Sequence, residues 1–128
     1  MDKNDALDFC LRWLPAWTGN RPDLLLEFYA PDAFYSDPVC REGLRGRASL
    51  AAYFTKLLSR NPGWKWEAVE VFPHPEGFTL KWRAAIPAGV VTLTEYGLDI
   101  VELRDGLITR NEVFFDRTAL LAAMRDAR

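Results

Sequence analysis

The sequence contains very few of the residues that build metal centres and disulfide frameworks. Of its 128 residues, one is a histidine, His74, and two are cysteines, Cys10 and Cys40. Zinc sites usually combine cysteine and histidine ligands at short spacings, so this composition excludes a zinc site of that kind. The acidic opening, residues 1–5, lacks the basic and apolar parts of a signal peptide. We therefore expect reduced core thiols in a cytoplasmic protein.

Long hydrophobic runs and an excess of positive charge are also missing. No apolar stretch approaches the roughly 18 residues of a transmembrane helix, so we expect no membrane partner. The formal net charge is -2 and the isoelectric point is near 5.4, whereas domains that bind nucleic acid usually carry a strongly basic surface. We expect no nucleic-acid partner either. Residues 41–60 nevertheless form a locally basic segment, which holds the acid Glu42 and the bases Arg41, Arg45, Arg47, Lys56 and Arg60.

Aromatic residues are abundant, with 8 phenylalanines, 5 tryptophans and 4 tyrosines. Buried tyrosine and tryptophan side chains usually keep a polar partner or a wet edge. A surplus of this kind therefore indicates a lined cavity or a subunit interface. By spacing alone, ordinary core packing explains each of these residues equally well.

The period of the apolar residues divides the chain into a helical part and a sheet. Apolar residues recur at helical spacing in residues 4–17, 22–29 and 47–60, and a short strand, residues 33–37, lies between the last two. From residue 64 onward the pattern alternates and is broken by short turns, which predicts an antiparallel meander. A closing helix is predicted at residues 119–125. We expect one domain, residues 1–128, of α+β class, with three N-terminal helices packed on a curled antiparallel sheet.

Three strings in this order resemble the nuclear transport factor 2-like superfamily, in particular its SnoaL-like and ketosteroid isomerase-like branches. They are residues 28–38 (FYAPDAFYSDP), 44–54 (LRGRASLAAYF) and 98–108 (LDIVELRDGLI). The resemblance implies a cystatin-like cone whose helices and concave sheet enclose an apolar pocket for a small hydrophobic molecule. It also implies a homodimer formed through the convex face of the sheet. It implies neither a metal nor a cofactor.

Two carboxylates are the candidate catalytic residues. Asp37 ends the short strand before a proline and resembles the general base of ketosteroid isomerases; partial burial at a cavity mouth would suit that role. An aspartate that accepts bonds from the loop amides after it is the structural alternative. Asp99 lies on the inward face of a strand and resembles the protonated acid of the isomerase oxyanion hole, which is one of the general cases of a neutral carboxylic acid acting as a donor. One alternative for Asp99 is a structural ion pair with Lys81, Arg83 or Arg110. The other is an acid that relatives without isomerase activity also carry on such a strand.

The remaining candidate residues are ligand contacts and possible replacements for a tyrosine that ketosteroid isomerases use. Ketosteroid isomerases place an oxyanion tyrosine on the first helix, where this chain has Trp13 instead. The indole of Trp13, or the hydroxyl of Tyr35 or Tyr96, would have to substitute. The residues expected to contact the ligand are Trp13, Trp17, Tyr35, Phe54, Phe78, Trp82 and Asn111.

Two classes of function stay open on the sequence. The first is a cofactor-independent isomerase or cyclase that acts on a hydrophobic carbonyl compound, with Asp37 as base and Asp99 as proton donor. The second is a non-catalytic dimeric module that binds a ligand or assembles with a partner. Outward-facing apolar residues on the predicted strands support the dimer, namely Val69, Val71, Tyr96, Leu98 and Ile100.

Overall fold

The protein places its helices on the concave face of one curled sheet. The computed structural model describes residues 1–126. The helices are α1 Lys3–Trp13, α2 Pro22–Leu26, α3 Arg47–Arg60 and α4 Thr118–Asp126, with a 3₁₀ turn at Leu14–Trp17. The strands are β1 Tyr29–Ser36, β2 Leu44–Arg45, β3 Lys65–His74, β4 Gly77–Ala88, β5 Val91–Arg104 and β6 Leu107–Phe114. The predicted α+β class is confirmed.

The first helical segment is divided at its proline. Asp2 caps α1 by accepting a bond of 2.8 Å from the backbone N–H of Asp5, and Phe9 and Trp13 are buried on one face. Pro15 lacks a backbone N–H, so the α-helix gives way to the 3₁₀ turn. The helical pattern predicted for residues 4–17 is therefore divided at Pro15, and the turn brings Trp17 against Trp66 of the sheet.

The sheet contains the predicted meander and one parallel pairing. The strand order is β2-β1-β6-β5-β4-β3, with β3 to β6 antiparallel to their sequence neighbours. Strand β1 lies parallel to β6, with Tyr35 opposite Asn111. No hairpin joins these two strands, so the antiparallel direction expected from short turns is not imposed on β1. This pairing places the end of β1 beside the middle of the sheet.

One predicted surface residue is buried because of a bulge. The register of β3 against β4 shifts between Ala68 and Glu70, so that Val71 lies opposite the buried Leu80. An extra residue in a strand inverts the alternation beyond it. Val69 is exposed as expected, but the prediction that Val71 faces outward was wrong, since only 4% of Val71 is exposed.

Aromatic side chains fill the space between α1, α3 and the sheet. Phe54 packs edge-on against both Trp17 and Tyr35, with ring centroids 5.3 and 5.1 Å apart. Such contacts fix ring orientations in addition to burying apolar area. Within residues 1–126, none of the helices has the length and apolar character needed to cross a membrane.

Candidate functional site

A cavity of about 410 Å³ opens between the helices and the concave face of the sheet. Its walls come from the 3₁₀ turn, the loop after β1, the second half of α3, the starts of β3 and α4, and the middle of β4 to β6. Asp37 and Asp99 both line it. The fold therefore brings together two carboxylates that are far apart in the sequence.

Asp37 directly follows β1 and accepts four hydrogen bonds. Its Oδ1 accepts the backbone N–H groups of Val39 (2.9 Å) and Cys40 (2.7 Å), as in a tight turn that follows an aspartate. Its Oδ2 accepts the hydroxyl groups of Tyr35 (2.9 Å) and Tyr53 (2.7 Å). A carboxylate offers about four lone-pair positions, so these four hydrogen bonds use the full accepting capacity of Asp37.

Asp99 is held from two sides in the middle of β5. Its Oδ1 accepts the indole N–H of Trp82 at 2.8 Å, and its Oδ2 accepts the amide of Asn111 at 3.0 Å. The Tyr29 hydroxyl donates to Asn111 Oδ1 at 2.8 Å, which fixes the orientation of that amide. Two lone-pair positions of Asp99 stay open beside the cavity.

Gly97 provides the space for one of these donors. Gly97 lies opposite Trp82 in the β4–β5 ladder. A Cβ atom at Gly97 would lie 2.2 Å from Cζ2 of the Trp82 ring, so the indole occupies the place of the missing side chain. A mid-strand glycine is a sequence signal for this kind of close approach.

The pKa of Asp99 distinguishes this carboxylate from ordinary surface acids. Burial raises the pKa of Asp99 from its ordinary 3.8 to about 6, although the bonds from Asn111 and Trp82 act in the opposite direction. The negative charge of Asp37 adds to the increase. Burial and the neighbouring Asp37 also raise the pKa of Tyr53 and of Tyr35. Asp99 therefore titrates close to neutral pH, while both tyrosines stay protonated.

Of the seven residues predicted to contact a ligand, three line the cavity and four are buried without lining it. Trp17, Tyr35 and Trp82 line the cavity. The other four are buried but do not line it; they are Trp13, Phe54, Phe78 and Asn111. Asn111 acts on the cavity through Asp99, and Phe54 through the rings that it supports. The direct ligand contact predicted for these four stays a prediction.

The two other proposed substitutes for the missing tyrosine are misplaced. Tyr96 is 51% exposed on the convex face, on the opposite side of the sheet. The indole N–H of Trp13 is buried without a hydrogen-bond partner within the described residues, and it does not reach the cavity wall. Of the three candidates named from the sequence, Tyr35 alone presents its hydroxyl next to a cavity carboxylate.

Sequence reasoning missed several residues of the cavity wall. Tyr53 lies beside the buried stripe of α3, and its hydroxyl reaches Asp37. A tyrosine one position off a helical apolar stripe is a weak signal, because ordinary core packing also explains it. Trp64 and Trp66 line the cavity at the start of β3. Lys56, Arg60 and Arg117 complete its polar edge.

The arrangement is suited to proton transfer in an apolar space. Asp99 can carry a proton near neutral pH, and Asp37 becomes a proton acceptor if one tyrosine hydroxyl turns away from it. Either hydroxyl, once released, can donate to an oxygen atom that gains negative charge. These groups need no cofactor for such a step.

Comparison with known proteins finds two similarities in sequence. The family model of the SnoaL-like domain matches residues 11–111. A steroid Δ-isomerase from Nocardioides simplex is 29% identical over 105 residues, which cover 81% of this chain and 84% of that protein.

Solved structures share the fold. A protein from Catenulispora acidiphila with a ketosteroid isomerase-like fold, in complex with trimethylamine, superposes with a TM-score of 0.78 and 17% identity, over 92% of both chains. A SnoaL-like protein of unknown function from Burkholderia thailandensis superposes with a TM-score of 0.76 and 19% identity, over 91% of this chain and 98% of that one. The match to the family model covers most of the sequence, and the chain therefore belongs to the SnoaL-like domain family.

Proposed function

We propose that the protein is a cofactor-independent isomerase or cyclase that acts on a hydrophobic carbonyl compound. The observation that carries this proposal is that Asp37 and Asp99 line the same apolar cavity. Two carboxylates in different environments can divide the roles of base and acid between them. The relative that is named as a steroid Δ-isomerase supports chemistry of the isomerase type.

In the proposed mechanism the substrate carbonyl displaces one hydroxyl from Asp37. Tyr53 is the more accessible of the two tyrosines, since it is half-buried on the cavity wall. When its hydroxyl turns to the carbonyl oxygen, Asp37 Oδ2 gains an open lone pair and removes a proton from the adjacent carbon. Protonated Asp99 donates a hydrogen bond to the resulting enolate or returns a proton to it.

Proton exchange at a model ketone tests this proposal. We expect the protein to accelerate deuterium uptake at the carbon atoms next to the carbonyl of β-tetralone in deuterium oxide, measured by proton NMR. Because Asp99 acts in its protonated form, the exchange rate should fall as the pH rises through about 6. A rate that instead increases through this range would assign Asp99 the role of base.

A non-catalytic ligand-binding domain is the second candidate function. The observation that favours it is the complete hydrogen bonding of Asp37, which leaves no lone pair free without a rearrangement. In this case the protein would bind β-tetralone, detected by quenching of tryptophan fluorescence, without accelerating exchange. Binding with exchange at the buffer rate would contradict the enzyme proposal.

We also propose that two copies pair through the convex face of the sheet. Leu98 and Phe114 lie side by side in the β5–β6 ladder and are 42% and 53% exposed. Tyr96 and Phe72 extend this face on β5 and β3, with exposed fractions of 51% and 47%. Adjacent apolar side chains on one face are typical of a surface that is covered by a partner.

Sedimentation velocity at micromolar concentration is expected to show a dimer. Leu98→Glu should shift the protein to monomer, because burying a carboxylate against the apolar side chains of the partner is unfavourable. Leu11→Glu is the matched control, since Leu11 is 63% exposed on α1 and lies away from the convex face. A wild-type protein that sediments only as a monomer would contradict the proposal.

A further inference from the structure

The edge of the cavity carries three positive charges. Lys56 and Arg60 come from the last two turns of α3, and Arg117 directly precedes α4. Within residues 1–126, no carboxylate oxygen lies within 4 Å of any of these three side chains; the ion pairs involve other residues. The lysine and the two arginines therefore leave their charges available at the cavity mouth.

The basic side chains lie at the exposed edge of the cavity, and the two carboxylates lie at buried positions of its wall. Lys56 and Arg60 are exposed and Arg117 is partly buried, whereas Asp37 and Asp99 are 8% and 5% exposed. The space between these two levels is lined mostly by apolar and aromatic side chains. A ligand that fills the cavity therefore meets positive charges at its exposed edge and two buried carboxylates on its inner wall.

Arg117 lies on the same side of the cavity as the Asp37 cluster. Burial raises the pKa of the Tyr53 hydroxyl most strongly, and the positive charge of Arg117 acts in the opposite direction. The guanidinium is thus close enough to influence the hydroxyl that donates to Asp37. A negative group held by Arg117 would therefore lie near the Tyr53 hydroxyl.

We propose that the natural ligand is an amphipathic anion, with an apolar body in the cavity and one anionic oxygen group between Lys56, Arg60 and Arg117. This inference rests on the proposed function, because it takes the same cavity as the ligand site. Guanidinium groups bind anionic oxygen atoms through paired N–H donors, and the lysine adds a point charge. The proposed substrate class is thereby narrowed from hydrophobic carbonyl compounds in general to those that also carry an acid group.

A pair of fluorescent probes that differ by one anionic group tests the inference. Anilinonaphthalene sulfonate carries a sulfonate, and phenylnaphthylamine has the same ring skeleton without it. We expect the triple variant Lys56→Gln, Arg60→Gln, Arg117→Gln to weaken binding of the sulfonate probe at least about fivefold, since each half-exposed ion pair contributes about a two- to fivefold effect. Binding of the neutral probe should change by less than about twofold.

Two controls distinguish anion binding by the three cavity residues from an effect of the overall charge of the protein. Arg41→Gln removes an exposed charge from the same basic segment but outside the cavity wall, and it should leave the affinity for both probes unchanged. Raising the salt concentration to about 0.5 M should weaken only the sulfonate probe, because screening acts on exposed charges. Displacement of both probes by β-tetralone shows that they occupy the cavity.

The outcomes distinguish this inference from the function on which it rests. If the triple variant binds both probes as the wild type does, the three cations do not select anions, although the cavity still binds ligands. If β-tetralone displaces neither probe and the wild-type protein does not bind it, the cavity is not a ligand site, and both proposals are wrong. Selective loss of the sulfonate probe supports the inference.

Discussion

Replacing Asp37 by asparagine is expected to reduce deuterium exchange at β-tetralone by about 10²- to 10⁴-fold, the usual contribution of a general base. Asparagine cannot accept the proton, but it fits the same space. Its Oδ1 can accept the backbone N–H groups of Val39 and Cys40, and its amide can donate to the oxygen atoms of Tyr35 and Tyr53. Folding and ligand binding should therefore be largely retained.

The matched control for this variant is Asp32→Asn. Asp32 lies on the same strand, β1, but its exposed carboxylate pairs with Arg104 at 2.9 Å and does not line the cavity. The control should exchange the ketone as the wild type does. If Asp37→Asn retains wild-type exchange while binding β-tetralone, Asp37 is not the base, and the turn after β1 explains its burial.

The second large effect is a pH dependence of the free energy of unfolding that arises from Asp99. A pKa raised from 3.8 to about 6 means that the folded protein holds the proton more tightly than the unfolded chain. The corresponding contribution, about 3 kcal/mol, is fully present below a pH of about 4 and is lost as the pH rises through about 6. Urea unfolding at about pH 3 and about pH 8 measures this difference.

Asparagine at position 99 removes the titration. The free energy of unfolding of Asp99→Asn should therefore lack this part of the pH dependence, so that the wild type loses about 3 kcal/mol more than the variant between the two pH values. Asp105→Asn, in the exposed turn before β6, is the control and should follow the wild type. Equal pH dependence in the wild type and Asp99→Asn would show that Asp99 does not titrate with a raised pKa.

The sequence predicts the fold well because its apolar pattern is local. The alternation along β4 and the helical stripe of α3 each indicate which face is buried, and the structure agrees. The bulge at Val69 does not follow from that pattern, since a single inserted residue inverts the alternation without any turn residue to mark it. The parallel pairing of β1 with β6 depends on the whole connection between them, which no local signal describes.

The site could be predicted only in part for a related reason. Asp37 and Asp99 stood out because a carboxylate at a strand end, or on the inward face of a strand, is unusual. Tyr53 did not stand out, because a tyrosine on an apolar helix face is common. The roles of Lys56 and Arg117 depend on where α3 and α4 meet the sheet, and this is a property of the tertiary structure.

The absence of a side chain at Gly97 also determines how deep the cavity is. Trp82 lies partly in the notch above this glycine, and its indole forms part of the cavity floor. Any larger residue at position 97 would move the indole toward the ligand and separate it from Asp99. A single small-to-large exchange at one strand position would thus change both the length of ligand that fits and the acidity of the group at its end. We therefore expect the free space in the cavity and the proton affinity of Asp99 to change together when Gly97 is exchanged.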